Sequence, residues 1–391
     1  MTHNICIVTG TRAEFGLLTP LIKRTWADTD LALKLVLTGA HLSPLHGNKR
    51  DDVLRENFPI AKEIPILRER DDAQGISDAV ATAISSFAAY FLESKPGLVI
   101  ILGDRYEMLG VAIAALLTKT PIAHLYGGDI TEGAMDDAIR HSITKMSALH
   151  FTSCEIYRKR VIQLGENPKN VYNVGSLAVE NILTMELMNR QDLSKAIGFS
   201  LEEPYALLTF HPATLDPSTP RDQFTQLLMA LDRCPDLNII FTKSNADEGG
   251  FLINGMIDEY VARHPRTTVG FHSMGQLKYL SAMKHCELVI GNSSSGIVET
   301  PSFAVPTVNI GSRQRGRLQG TNTINCEADA DAIENAIRKV RTPEFKRVAK
   351  DTLNPYGKGD TSVRIVNLIK ERMQEGIDLR KPFYDISFEE A

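Results

Sequence analysis

Three consecutive serines form the strongest candidate site in the sequence. Ser293, Ser294 and Ser295 follow a short apolar run, and Gly296 comes next at the predicted start of a helix. Serine hydroxyls and backbone N–H groups at the positive end of a helix favour an anion such as phosphate. Glu299, one turn further on, could bind the diol of a ribose. A polar loop without a ligand does not need three serines, so we predict a nucleotide-phosphate site here.

Two loops that contain arginine could add to such a site. The segment GSRQRGR at residues 311–317 follows the next apolar run, and Arg313 or Arg317 could bind a diphosphate through the several donors of a guanidinium. The segment GTRAEFG at residues 10–16 ends the first predicted strand, and its Arg12 could do the same. GTRAEFG has neither the GxGxxG pattern nor the Lys-Ser/Thr ending of a P-loop. For each loop the alternative is a solvated basic turn.

Acidic residues follow two other apolar runs. Asp104, in LGDRYE, could act as a base, bind a metal or cap the next helix, and capping is the commoner role. Asp129 and Asp136 belong to HLYGGDITEGAMDDAIRH, in which four carboxylates lie within nine residues. Asp136 and Arg140 share one face of the predicted helix at i, i+4, and a cap with a solvated ion pair accounts for Asp137. Acidic crowding at the end of a strand still favours a catalytic role for at least one member.

Histidine and amide side chains supply weaker candidates. His211 directly follows a predicted strand in TFHPATLD, where a proton donor, a phosphate ligand and a structural histidine are all reasonable interpretations. The segment SNADEGG, which includes Asn245, follows another predicted strand. His272 comes after a third strand, at a place where a nucleobase could lie.

Alternating strands and helices must position these groups. NICIVTG, LALKLVLTG, GLVIILGD and PIAHLYGG are predicted strands separated by helices, and YALLTF, LNIIFT, TTVGF and ELVIGN repeat the arrangement. The pattern predicts an α/β protein with two doubly wound, Rossmann-like domains facing a cleft. We place these domains at residues 1–180 and 181–365, followed by a C-terminal helix and tail at 366–391. Ligands of such sheets bind beyond the carboxyl ends of strands, where most of the candidates lie.

The composition excludes several classes of protein. The 391 residues include 43 Lys plus Arg and 48 Asp plus Glu, so the net charge is −5. A weakly acidic chain has no overall field that would attract nucleic acid or an anionic membrane. Five scattered cysteines favour neither a disulfide scaffold nor a zinc site. Without a secretory signal, and with apolar runs far shorter than the roughly 18 residues of a membrane span, we expect a cytoplasmic protein that holds no metal or other cofactor.

The motifs together resemble one enzyme family. GTRAEFG, LTGAHLS, LGDRYE, GGDITEGAMDDAIRHSITKMS, RVIQLGE, GNSSSGIVE and GSRQRGR are similar to the hydrolysing UDP-N-acetylglucosamine 2-epimerases of the bacterial sialic-acid type, in the same order along the chain. The resemblance implies a glycosyltransferase-B-like fold and conversion of UDP-N-acetylglucosamine and water to N-acetylmannosamine and UDP. It also implies that Asp104 and Asp136 are acid/base groups and that His41 and His211 line the sugar–diphosphate pocket.

One position departs from the family. Tyr126, in HLYGG, stands where many relatives carry Glu and others His, so Asp129 could supply the missing carboxylate. The substrate could then be a 4-acetamido-4,6-dideoxy sugar of the bacillosamine type on UDP or GDP, as in legionaminic acid biosynthesis. The predicted catalytic residues are Asp104, Asp136, Asp129 and His211. The predicted substrate-binding residues are Arg12, His41, Arg105, Tyr126, Arg140, Asn245, His272, Ser293, Ser294, Ser295, Gly296, Glu299, Arg313 and Arg317.

Two other functions are compatible with the same motifs. A glycosyltransferase or simple sugar-nucleotide hydrolase could use the same fold, because a fold does not fix a reaction. A non-catalytic sugar-nucleotide sensor is disfavoured by the clustered carboxylates, since acids buried near a diphosphate are costly without a chemical use. In every case the expected partner is a nucleotide sugar, and the resemblance implies a homodimer or homotetramer.

Overall fold

The structure is a computed structural model that describes residues 2–43, 53–67, 72–131, 135–212, 218–243 and 250–387. Within these ranges the strands are β1 (His3–Thr9), β2 (Leu31–Thr38), β3 (Ile60–Ile64), β4 (Leu98–Leu102), β5 (Ile122–Leu125), β6 (Leu149–Thr152), β7 (Val171–Asn173), β8 (Tyr205–Thr209), β9 (Asn238–Thr242), β10 (Thr268–Phe271), β11 (Leu288–Gly291), β12 (Thr307–Ile310) and β13 (Thr323–Cys326). The α-helices are α1 (Arg12–Ala27), α2 (Ala73–Ser94), α3 (Tyr106–Leu117), α4 (Asp136–Met146), α5 (Glu155–Gln163), α6 (Leu177–Thr184), α7 (Arg190–Ile197), α8 (Pro220–Asp232), α9 (Gly250–Arg263), α10 (Gly275–His285), α11 (Ser295–Val298), α12 (Ala330–Val340), α13 (Pro343–Lys350) and α14 (Thr361–Glu375).

The first compact unit is built on a parallel seven-stranded sheet. It comprises Met1–Asp129, Ala134–Asn181 and Tyr356–Ala391. The strand order is β3-β2-β1-β4-β5-β6-β7, and every pair is parallel. One apolar cluster packs α1 and α14 on one face of the sheet, and a second packs α2, α3 and part of α4 on the other. All five residues of β4 are buried, as expected for a strand covered on both faces.

The second unit repeats this architecture with six strands. It comprises Ile130–Gly133 and Ile182–Pro355. Its strand order is β10-β9-β8-β11-β12-β13, again parallel throughout. Helices α8, α9 and α12 contribute to the apolar cluster on one face, and α7 and α10 to the cluster on the other. The predicted fold class, two doubly wound Rossmann-like α/β domains, is confirmed.

The C-terminal part of the chain differs from the sequence-based division. The structure assigns Tyr356–Ala391 to the first unit, whereas the sequence analysis ended the second domain at residue 365 and set 366–391 apart. The physical reason is the apolar face of α14. Ile365 and Ile369 are fully buried in the cluster that also contains residues of α1.

The tail beyond α14 is also anchored in the first unit. Lys381 donates to the carbonyl of Ser147 at 2.6 Å and forms an ion pair of 2.7 Å with the buried carboxylate of Glu166. Phe383 covers Gly165 so closely that an added Cβ there would lie 2.3 Å from its ring. The chain therefore crosses to the second unit and returns.

One helix is relevant to the expectation that the chain has no membrane-spanning segment. By length and composition, α2 is the single helix within the described residues that would be long and apolar enough to cross a bilayer, with a mean hydropathy of 1.3 over 18 residues. Ser and Thr interrupt its apolar residues, so the sequence shows no continuous run. A single helix of this kind is weak evidence for a membrane span, because core helices have the same properties.

A glycine closes the central strand of the second sheet. Gly291, the last residue of β11, has φ 132°, and a Cβ there would lie 1.9 Å from the carbonyl oxygen of Thr209 on β8. No side chain can be accommodated without moving one of the two strand ends. The serine loop that follows therefore starts from a backbone position that only glycine permits.

We predict that Gly291→Ala lowers the free energy of unfolding by more than about 2 kcal/mol, because it combines a backbone clash with a left-handed φ. Urea denaturation followed by circular dichroism measures the change. The matched control is Gly255→Ala in α9, where nothing lies within 4 Å of the added Cβ and helix propensity favours alanine. Equal stability of Gly291→Ala and the native protein would contradict the prediction.

Candidate active site

Asp104 lies at the carboxyl end of β4 in the first unit. Gly103, with φ 78°, turns the chain out of the strand directly before it. Asp104 does not cap α3, because Arg105 occupies the N-cap position. The Asp104 carboxylate instead accepts a hydrogen bond from Arg140 and is one-quarter exposed. The capping role considered from the sequence is therefore not the one that the structure shows.

Arg140 is the centre of the acidic cluster. Its side chain is only 2% exposed, and it pairs with Asp104 through one amino group. The other amino group donates to the Asp137 carboxylate at 2.5 Å and to the Asp129 carbonyl at 2.7 Å. Burial alone would lower the pKa of Arg140, but the charges of Asp104 and Asp129 raise it, so the guanidinium stays protonated.

These contacts correct two sequence-based roles. Arg140 was predicted to bind substrate, but a buried guanidinium that holds carboxylates serves to position them. Asp137 was assigned to a solvated pair, yet it belongs to this buried cluster.

The other predicted carboxylates lie close by along the chain. Asp136 is the first residue of α4 and precedes Asp137, and it is partly exposed. The Asp129 carboxylate accepts from the Ser153 hydroxyl at 3.3 Å. The structure thus gathers acidic groups from the ends of β4 and β5 and the start of α4 within one unit. Such an arrangement can place several proton donors and acceptors around one small ligand.

The hydroxyl of Tyr126 makes hydrogen bonds within the first unit. It has φ 67°, and its hydroxyl lies 3.0 Å from the Ser176 hydroxyl and accepts from the Leu177 N–H at 2.9 Å. Burial raises its pKa to about 12, so the phenol is neutral at ordinary pH. Because the hydroxyl is already hydrogen-bonded at the start of α6, Tyr126 does not bind substrate through its hydroxyl, which corrects the predicted role.

The first loop is held by its own glutamate. Thr11 caps α1, and the Glu14 carboxylate accepts the N–H groups of Gly10 at 2.7 Å and Thr11 at 3.0 Å. These two amides are therefore not available to an anion. Arg12 remains partly exposed at the start of the helix. Of this motif, only the Arg12 side chain can act as predicted.

Two other predicted residues of the first unit have different exposure. His41 is completely buried, 3.2 Å from the Thr9 hydroxyl and edge-on to Phe15, which corrects its assignment to the substrate pocket. Arg105 is 45% exposed and pairs with the buried Glu107 at 3.2 Å. Arg105 can still contact a ligand.

The serine loop, residues 293–296 of the second unit, makes some of its hydrogen bonds within the protein. The Ser295 hydroxyl lies 2.6 Å from the Tyr279 hydroxyl, and its N–H donates to Ser293 at 3.4 Å. Ser294 is at the N-cap position of α11 without a side-chain cap, and Gly296 is buried against β12. Helix α11 has four residues, so its dipole is much smaller than the sequence suggested. Ser293 and Ser294 are partly exposed.

Glu299 lies one turn beyond the serines. One of its carboxylate oxygens is buried without a hydrogen-bond partner among the described residues. Burial raises its pKa to about 7, against a lowering effect of the hydrogen bond with Ser295. A carboxylate that lacks a donor is suited to accept hydroxyl groups from a ligand such as a ribose.

His211 and Arg313 lie near each other in the second unit. Burial and, to a smaller extent, the charge of Arg313 lower the pKa of His211 to about 4, so the imidazole is neutral at pH 7. Arg313 donates to the Asn292 carbonyl at 3.0 Å. A neutral histidine beside an arginine can donate an N–H to a phosphate oxygen.

The remaining candidates divide into three cases. Arg317 donates to the Ile130 carbonyl at 3.1 Å, so it holds the backbone that follows Asp129. His272 is exposed and lies 3.1 Å from the Lys243 amine at the end of β9. Asn245 lies outside the described residues.

Sequence reasoning missed some supporting groups. His124, fully buried, lies 2.7 Å from the Gly103 carbonyl and 3.1 Å from the Thr144 hydroxyl, and burial lowers its pKa to about 3. It links the end of β4 to α4. Tyr279 and Lys243 are the others. Nothing in the local sequence marks them, because their partners are distant along the chain.

Comparison with known proteins decides the family. The family model described as UDP-N-acetylglucosamine 2-epimerase matches residues 23–370. The chain belongs to this family. It is 46% identical over 345 residues to a Campylobacter jejuni protein named GDP/UDP-N,N'-diacetylbacillosamine 2-epimerase (hydrolyzing), covering 88% of this chain and 89% of the relative. It is 38% identical to polysialic acid biosynthesis protein P7 of Escherichia coli, covering 98% of this chain and 97% of the relative.

The solved structures agree on the fold. A Listeria monocytogenes structure titled as a putative UDP-N-acetylglucosamine 2-epimerase superposes with a TM-score of 0.81 at 16% identity, covering 99% of this chain and 100% of that one. The resemblance drawn from the motifs is confirmed. The chain is an enzyme of the hydrolysing 2-epimerase type.

We predict that Arg140→Lys lowers kcat about 10²-fold with little change in thermal stability, because an ammonium keeps the charge but cannot reproduce the fork that holds two carboxylates and a carbonyl. Steady-state kinetics and a melting curve measure both effects. The control is Arg158→Lys, whose guanidinium binds the Val171 carbonyl and Glu155 instead. Equal losses of kcat in the two variants would contradict a positioning role.

We predict that Glu299→Gln flattens the pH dependence of stability. Between about pH 4.5 and 7 the folded chain keeps the Glu299 proton that the unfolded chain has lost, so the free energy of unfolding falls as pH rises through this range. Glutamine removes that contribution. Urea titrations at pH 5, 6 and 7 test it, with Glu344→Gln on exposed α13 as control. Parallel curves for Glu299→Gln and the native protein would refute it.

Proposed function

We propose that the chain acts on a nucleotide-linked N,N'-diacetylbacillosamine, carried on UDP or GDP, releasing the nucleoside diphosphate and the free sugar inverted at carbon 2. The observation that carries this choice of substrate is the 46% identity with the Campylobacter jejuni relative of that name.

The chemistry explains why both units need charged side chains. The proton on carbon 2 is barely acidic, because no carbonyl group is adjacent. Departure of the diphosphate from carbon 1 builds positive charge on the ring and makes that proton removable. Loss of the carbon 2 proton together with the nucleoside diphosphate gives a 2-acetamidoglycal, and addition of water at carbon 1 with protonation of the opposite face of carbon 2 completes the inversion. Positioned acids and bases on both faces contribute about 10²–10⁴-fold each.

We assign the proton transfers to Asp104, Asp136 and Asp129. The pairing of Asp104 with Arg140, the hydrogen bond from Arg140 to the Asp129 carbonyl and the place of Asp136 at the start of α4 support the assignment. A carboxylate held by a buried guanidinium keeps a defined position while it exchanges a proton. Asp129 would take the place of the glutamate that relatives carry at the position of Tyr126.

We assign the nucleoside diphosphate to the second unit. The partly exposed Ser293 and Ser294 hydroxyls and Arg313 would bind phosphate oxygens, and Glu299 would accept the ribose hydroxyls. His211 is neutral at pH 7, and a bound diphosphate would raise its pKa and allow it to protonate the leaving group.

A second substrate has separate support. The family description names UDP-N-acetylglucosamine, and the Escherichia coli relative belongs to polysialic acid synthesis. Conversion to N-acetylmannosamine and UDP, in a sialic-acid pathway, is therefore the second candidate. It uses the same elimination and hydration, and only the groups at carbons 4 and 6 of the sugar differ.

A panel of UDP- and GDP-linked 2-acetamido sugars, incubated in heavy water and followed by proton NMR, tests both candidates. We expect the diacetylbacillosamine nucleotide to give the largest kcat/KM, free nucleoside diphosphate and a free sugar carrying deuterium at carbon 2. A larger kcat/KM for UDP-N-acetylglucosamine would select the second candidate. Retention of hydrogen at carbon 2, or product only with an added acceptor sugar, would exclude both.

Self-association and a cytoplasmic location remain predictions. Light scattering decides between the expected homodimer or homotetramer and a particle of monomer mass.

A further inference from the structure

Asn292 has no role in the proposed chemistry, yet it is among the most highly bonded residues of the second unit. It follows Gly291 at the end of β11 and is 1% exposed. Its side-chain oxygen accepts the His211 N–H at 2.7 Å, and its side-chain nitrogen donates to the His211 carbonyl at 2.8 Å. The amide therefore pairs with the backbone of His211 as a neighbouring strand would.

The backbone of Asn292 fixes a second group. Its carbonyl accepts from Arg313 at 3.0 Å and from the Gln314 amide at 2.8 Å. Its N–H donates to the Thr209 carbonyl at 3.1 Å. One buried residue thus connects the end of β8, the end of β11 and the loop after β12.

We propose that Asn292 is a positioning residue that sets the place of the His211 imidazole relative to the Arg313 guanidinium. The inference rests on the proposed function only for the ligand that these two groups share, a nucleoside diphosphate. The contacts themselves are independent of it. The backbone of His211 and the guanidinium of Arg313 are both held by this one residue, so neither shifts without disturbing its hydrogen bonds.

Only asparagine satisfies this position. Pairing with both the N–H and the C=O of His211 requires one acceptor and one donor on the same short side chain. Aspartate offers acceptors only, serine is too short to reach both groups, and glutamine is one methylene longer. Aspartate would also bring a negative charge close to His211 and Arg313, which favours the protonated imidazole.

The decisive variant is Asn292→Asp, with Asn309→Asp as the matched control. Asn309 is also buried and lies on neighbouring β12, where its side-chain N–H donates to the Asn325 side chain at 2.7 Å. The same substitution there also removes one hydrogen-bond donor, but at a residue that makes no hydrogen bond to His211. We expect Asn292→Asp to weaken UDP binding, measured by calorimetry, about 10–100-fold, as a small misplacement of binding groups does. Asn309→Asp should bind UDP like the native protein.

A histidine titration by NMR gives a readout that a merely structural role would not move. The His211 signal is identified by its loss in His211→Gln. We expect Asn292→Asp to raise the pKa of His211 by about one pH unit or more, and Asn309→Asp to leave it unchanged. Native UDP affinity and native His211 titration in Asn292→Asp would overturn the proposal, as would equal effects of the control.

A second variant keeps the test decisive if Asn292→Asp does not fold. Gln314→Met removes one of the two donors to the Asn292 carbonyl, and we expect UDP affinity to fall about 3–10-fold, as for one lost hydrogen bond. Unchanged affinity would then overturn the proposal. A native protein that binds neither UDP nor GDP would instead contradict the proposed function, while the histidine titration would still decide the role of Asn292.

Discussion

The positive charge of a buried guanidinium must be balanced by negatively charged or hydrogen-bonding partners. In the first unit this requirement determines where the acidic residues lie. Arg140 is almost completely enclosed and interacts with carboxylates on α4 and after β4 and with the backbone carbonyl of Asp129. Removing one partner of such a cluster leaves a buried charge, which costs several kcal/mol. The carboxylates and the arginine therefore stabilise one another in a single arrangement. In that arrangement the carboxylates lie close together, although without the arginine their negative charges would repel one another.

The parallel sheets make this arrangement possible. All strands of a parallel sheet end at the same edge, so residues far apart in sequence meet there. The ends of β4 and β5 bring Asp104 and Asp129 to Arg140, and His124 bonds the turn at Gly103 to α4. In the second unit the ends of β8 and β11 and the loop after β12 are joined through Asn292. Both units therefore use buried polar side chains to connect their strand ends.

Several sequence-based roles changed because buried polar groups must find partners. The amides of the first loop are satisfied by Glu14, and the hydroxyl of Tyr126 by the start of α6. Ser295 is engaged by Tyr279, so fewer hydroxyls of the serine loop face a ligand than the sequence suggested. In each case the competing partner comes from a different turn or element. A motif identifies the chemical groups that are present, but their partners decide which of them remain available.

The sequence by itself determined the fold class, the family and the segments that carry charged groups. Buried strands appear as short apolar runs, helices show a longer period, and the glycines and polar residues after the runs mark the strand ends. Only the tertiary structure decided that α14 and the tail belong to the first unit, that His41 is buried, and that Asn292 and Arg140 position other side chains. The reason is physical: whether a side chain is buried, and which groups it hydrogen-bonds, depends on residues that can be hundreds of positions away in the sequence. A local sequence pattern does not show which distant residues come into contact.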